Sequence, residues 1–117
     1  MKIYPIVPCP APRMSQSDRW KKRPCVLRYR AFRDEILLHR VTIPDRVRII
    51  FHMPMPASWS AKKRAEMDGK PHQVRPDIDN LAKACSDAVF SEDSHIYELH
   101  ARKVWSVEGG IEIGEIE

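Results

Sequence analysis

Long apolar runs are missing from this 117-residue chain, and none approaches the roughly 20 residues that a membrane-crossing helix requires. Cysteine is scarce. Cys9, Cys25 and Cys85 are odd in number, widely spaced and without a Cys-x-x-Cys pair, which argues against a disulfide framework or a zinc knuckle. Four glycines build no Gly-rich phosphate loop, so no nucleotide cofactor is expected. The histidines (His39, His52, His72, His95 and His100) show neither His-x-His nor His-x-x-x-His spacing, which removes the usual zinc sites. There is no Ser/His/Asp arrangement, internal repeat or low-complexity block. The N-terminal stretch from Met1 to Pro8 is too short and too proline-broken for a signal-peptide core. A reducing cytoplasm is the expected compartment, with no membrane partner.

What remains is a soluble globular balance, with 43% hydrophobic and 31% charged residues. The length predicts one domain over residues 1–117. The net charge of +4 hides an asymmetry. Between Arg13 and Arg33 the bases Arg13, Arg19, Lys21, Lys22, Arg23, Arg28, Arg30 and Arg33 face the acid Asp18. From Asp87 onward acids dominate over Arg102 and Lys103. Such a chain can offer a basic face to a polyanion while gathering carboxylates elsewhere.

Hydrophobic spacing predicts the elements. Lys2 to Val7, carrying Pro5, reads as a short edge strand, and 8–24 as a basic surface loop. Leu27 to Arg40 reads as a helix with an apolar stripe of Leu27, Ala31, Ile36, Leu37 and Leu38. Val47, Ile49, Phe51 and Met53 alternate with polar residues as a half-buried strand. Ser60 is a natural N-cap for a helix through Met67. The clearest helix is Ile78 to Val89, with Ile78, Leu81, Ala82, Cys85, Ala88 and Val89 on one face. Tyr97, Leu99, Ala101 and Trp105 share one face of a further strand. Gly109-Gly110 reads as a hairpin turn into Ile111, Ile113 and Ile116. The expected fold is α/β (α+β): a mixed sheet of about four strands with two to three helices packed on it.

The chemistry concentrates in Arg75-Pro76-Asp77-Ile78-Asp79-Asn80-Leu81-Ala82-Lys83, followed by Asp93 in Glu92-Asp93-Ser94-His95-Ile96. Taken singly, each acid has an ordinary explanation. Asp77 falls at an N-cap, Asp79 in the positive first turn, and Glu92-Asp93 in a turn. Together they suggest more. At a strand-to-helix junction the i and i+2 side chains can converge, and Asp93 sits where the chain returns from that helix. Carboxylates from separate segments are how a hard divalent cation is held, with positions left for water and phosphate. The helix N-terminus offers N–H groups to a phosphate, and Lys83, one turn on, can lean over the acids. Acidic metal ligands in a basic protein point to a nuclease.

These residues, with Lys83-Ala84, Asp87-Ala88 and Lys103, resemble the RusA family of Holliday junction resolvases, whose pattern is Asp-x-Asp-Asn-Leu-x-Lys-Ala, then Asp-Ala, then Asp-Asp-x-x-Ile or Val. The likeness is close in the C-terminal half and only of layout in the N-terminal half. It implies a small α/β homodimer, often prophage-encoded and so bacterial or phage in origin, that cuts four-way DNA junctions with Mg2+, for which Mn2+ can substitute. Carried onto matching positions, the catalytic and metal-holding carboxylates are Asp77, Asp79 and Asp93, and the catalytic lysine is Lys83. Glu92 stands where members often have a first Asp.

Around the acids, Lys62, Lys63, Arg64 and Lys70 form a basic segment expected to contact phosphates, together with Arg75. Lys21, Lys22 and Arg23 beside Trp20 form a second patch. His72 and His95 flank the acids, and His72 is placed with the DNA contacts. Lys103, on the apolar side of its strand, needs a reason: snorkelling to the rim or reaching a phosphate. Cys85 reads as core. One acid cluster per chain calls for a two-fold dimer to cut two strands, through either the Ile111, Ile113, Ile116 edge or the first helix at Ile36, Leu37 and Leu38. Two other readings stay open: a nuclease for flaps or other branched DNA, and a junction-binding module without catalysis.

Overall fold

Alternation decides the centre of the molecule. In the computed structural model, which describes residues 2–12, 24–89 and 95–116, Val47, Ile49, Phe51 and Met53 of strand β2 (Arg46–Pro54) point to one side and are buried. The remaining strands are β1 (Lys2–Tyr4), β3 (Glu98–Ser106) and β4 (Gly110–Glu115), and the helices are α1 (Pro24–Leu38), α2 (Ala61–Met67) and α3 (Ile78–Val89). The sheet order is β1-β4-β2-β3, with β2 and β3 parallel and the other pairs antiparallel. The described residues therefore form an α+β fold with a mixed four-stranded sheet. Helices α1 and α3 cover one face, where Phe32, Ile36, Leu81, Ala82, Cys85 and Ala88 close over Tyr4, Val47, Ile49, Phe51, Ile111 and Ile113. The other face is open to solvent and carries Arg48, His100 and Arg102. Among the described residues no helix is long and apolar enough to cross a membrane.

Three expectations are corrected. Gly109-Gly110 does not make a hairpin, because β4 pairs with β2 and not with β3. Val107 to Gly109 instead passes over the end of β2, the most apolar strand, which takes the central position and separates its two neighbours. The apolar stripe of α1 is also different. Val26, Phe32 and Ile36 are buried, with Tyr29 packed beside them, while Leu27 is exposed and Leu37 and Leu38 are 63% and 77% exposed. Spacing of three to four residues from Phe32 selects the true face, and the run Ile36-Leu37-Leu38 necessarily places two of its members off it. Finally, Tyr97 falls just before β3 and is 73% exposed, while Leu99, on the core-facing side of β3 by register with Val47, is 47% exposed. Both line an open groove at this edge of the sheet.

These corrections bear on assembly. Ile111, Ile113, Ile116 and Ile36 are buried within the protomer, so of the residues considered for a dimer contact only Leu37 and Leu38 offer exposed apolar surface.

Candidate active site at the mouth of the third helix

The chain bends through Val74–Pro76 on its way into α3, and the peptide before Pro76 is cis. The Asp77 carbonyl accepts the first helical hydrogen bond, from Leu81 N at 3.1 Å. Asp77 is thus the N-cap by backbone, and Asp79 lies in the first turn. The apolar face of α3 anchors this mouth: Leu81 and Cys85 are fully buried against the sheet. Burial also pushes the Cys85 thiol up to about 12, an inert core group as the sequence suggests. Asn80, next to Asp79, donates from Nδ2 to the Ala11 carbonyl at 3.3 Å and so ties the N-terminal segment to the same helix turn.

Both aspartates are exposed and face an open concavity that His72, Gln73, Val74, Arg75, Ile78 and Lys103 complete. Asp79 also lines a second concavity between α3 and β3, with Lys83, Ser86, Ile96, Tyr97 and Leu99. The acid cluster therefore stands at the junction of two open hollows, accessible to a large substrate.

Lys83 lies in that second hollow, its Nζ 3.1 Å from Asp87 Oδ1 in an i,i+4 pair. The pair is solvent-exposed on both sides and weak. The ammonium lies one helical turn on from Asp79, and this pair is one that a phosphate can displace.

The basic segment divides by role. Lys62 and Lys70 are exposed. Lys63 Nζ sits 4.4 Å from the centre of the Trp59 ring, a cation–π contact. Arg64 is committed to the fold, with Nε donating to the Trp59 carbonyl at 3.3 Å and Nη2 to the Pro56 carbonyl at 3.1 Å. Trp59 packs on Trp105 at 4.8 Å, and Trp105 on His72 at 4.3 Å. A continuous stack thus joins α2 to the floor beside the aspartates. Sequence spacing gave no signal of it, because its members come from three distant segments. Asp93 and the patch of Lys21, Lys22 and Arg23 lie outside the described residues.

His72 is 6% exposed, and its Nδ1 is buried without a hydrogen-bond partner. Burial, and then the charge of Lys103, lower its pKa below the ordinary histidine value. Such a group binds fewer protons folded than unfolded, so its share of stability is complete above about pH 6.5 and is lost as the pH falls below that value. His72→Phe, which keeps the stack, should flatten the decline of Tm between about pH 7 and pH 5. An unchanged decline would show that His72 does not titrate in the unfolding transition.

Asp77 and Asp79 offer hard, accessible carboxylate oxygens of the kind Mg2+ takes. Among the described residues no group of three His, Cys, Asp or Glu side chains comes together to hold a metal. The third carboxylate of the expected set is Asp93. The donor chemistry fits a hard cation rather than zinc, since among the described residues the histidine lining this concavity, His72, is packed against Trp105 and no cysteine lines it.

The model of the endodeoxyribonuclease RusA family matches residues 5–116, nearly the whole chain. None of the curated proteins and none of the solved structures compared matches it.

Proposed function

Because the chain belongs to the RusA endodeoxyribonuclease family, we propose that it is a magnesium-dependent nuclease that resolves four-way DNA junctions by paired strand incision. The observation that carries this reading is the pair Asp77 and Asp79, exposed at a helix N-terminus where two open hollows meet, in a chain of net charge +4. Asp77, Asp79 and Asp93 would hold the metal. When bound, Mg2+ supplies Lewis acidity and a more acidic bound water. The first-turn N–H groups of α3 orient toward a phosphate. Lys83, released from Asp87, neutralises charge building on that phosphate. Lys62, Lys63, Lys70 and Arg75, with Lys21, Lys22 and Arg23, contact the backbone and read shape rather than bases. Arg64 braces the turn that leads into this segment through its bonds to the Trp59 and Pro56 carbonyls. The protein works in a bacterial cytoplasm, host- or phage-encoded, where its thiols stay reduced.

A panel of mobile four-way junctions, flaps and linear duplexes of equal length tests the substrate. Fastest cleavage of the junction supports the reading. Equal or faster cutting of flaps would assign the protein to branched DNA generally, and junction binding without cutting in any metal would leave only a binding module.

A junction must be nicked on two strands of like polarity, and each chain carries one acid cluster. Two chains on a two-fold axis provide the second site, and the exposed Leu37 and Leu38 of α1 are available for that contact. Mixing wild-type protein with Asp79→Asn should give heterodimers that nick one strand and leave the other whole. A monomer by sedimentation, with paired incision intact, would defeat the dimer.

A further inference from the structure

We infer that Lys103 is a positioning residue for the acid cluster: its ammonium clamps the backbone that presents Asp77, and it does not hold substrate. The inference rests on the reading of Asp77 as a catalytic acid. Lys103 occupies a core-facing position of β3, in register with Phe51 and flanked on that side by Ala101 and Trp105. A lysine there is costly unless its charge finds partners. It finds two: Nζ donates to the Val74 carbonyl at 2.8 Å and to the Pro76 carbonyl at 2.6 Å. Bonds from an ammonium to carbonyls are charge-assisted and stronger than neutral ones.

The location explains the need. Residues 69–72 are zipped to β3 by Gly69 N to Trp105 O at 2.8 Å, Trp105 N to Lys70 O at 2.9 Å and His72 N to Lys103 O at 3.1 Å. From Asp77 onward the helix takes over, with Leu81 N bonding Asp77 O. Between these, among the described residues, no backbone hydrogen bond holds 73–76. Lys103 spans that gap at both ends, at Val74 and at Pro76. With two of its three N–H donors on carbonyls of the loop that carries Asp77, the ammonium has one left over, and a phosphate that drew it away would release the loop. The neutral His72, packed on Trp105 beside it, lets the ammonium sit in this half-buried place without a second positive charge.

Lys103→Met tests the clamp, since it keeps an unbranched apolar stem of similar length and removes the ammonium, donors and charge together. In protein free of DNA and metal, amide exchange across residues 73–80 should quicken by about tenfold. On a four-way junction kcat should fall by about 30-fold or more, through lost orientation, with junction Kd and its salt slope unchanged. Lys103→Arg, which restores donors to the carbonyls, should recover part of kcat. Unchanged exchange in Lys103→Met, or weaker binding with a salt slope reduced by about one unit, would overturn the clamp, the second making Lys103 a phosphate contact. The exchange arm needs no activity. Should the wild-type protein fail to cut branched DNA, the functional reading falls while the clamp is still decided.

Discussion

Asp77→Asn, Asp79→Asn and Asp93→Asn should each lower junction cleavage by about a thousandfold or more, with junction binding unchanged or tighter. The substitution preserves shape and one acceptor oxygen while removing one negative charge, and the cap at Asp77 survives because it is made by the backbone carbonyl. Loss of charge lowers the affinity for a divalent cation and with it the charge stabilisation of the reacting phosphate. It also removes repulsion between the site and DNA, which is why binding should hold or strengthen. Both Asp77 and Asp79 are exposed, so neither substitution buries an unpaired group, and Tm should move by no more than a few degrees. A variant that cuts at the wild-type rate would remove that acid from the site, and Asp93 is the one whose result weighs most.

Lys83→Ala should lower kcat by about a hundredfold and leave junction Kd within about twofold. Its ammonium rests on Asp87 at 3.1 Å in the free protein, an exposed i,i+4 pair worth at most a few tenths of a kcal/mol. Giving up that pair for the phosphate therefore costs little. An interaction formed only as charge builds on the phosphate appears in kcat and not in ground-state binding. Asp87→Asn is the companion variant: with that ion pair weakened, Lys83 should still act, and turnover should stay near wild type. If Lys83→Ala instead weakens binding with kcat unchanged, the lysine is a ground-state phosphate contact. If Asp87→Asn is as damaging as Lys83→Ala, the ion pair itself is what the site needs.

The two elements most legible in the sequence are those whose periodicity is undiluted. β2 alternates cleanly, and α3 keeps its apolar residues on one face, so their extents and the placing of Asp77 and Asp79 at the helix mouth follow directly from spacing. The first helix is harder. Its apolar residues surround the axis, and local pattern cannot choose between Phe32 and Leu38 without knowing what lies opposite. The β3–β4 link is a case of topology, since two glycines between two strands fit a hairpin as well as a crossing over a central strand. Lys103 was visible as an anomaly, a charge on an apolar face, but its partners are carbonyls, and backbone groups carry no sequence signature. The same holds for Arg64, whose guanidinium serves two carbonyls, and for the stack of Trp59, Trp105 and His72.

The most direct measurement is cleavage of a mobile four-way junction by the wild-type protein, with and without Mg2+, with both pairs of opposing strands labelled. The expected result is symmetric incision of two strands of like polarity in Mg2+, giving ligatable nicked duplexes, and none in chelator. Binding of the junction with no incision in Mg2+ or Mn2+, or incision that persists in chelator, would contradict it.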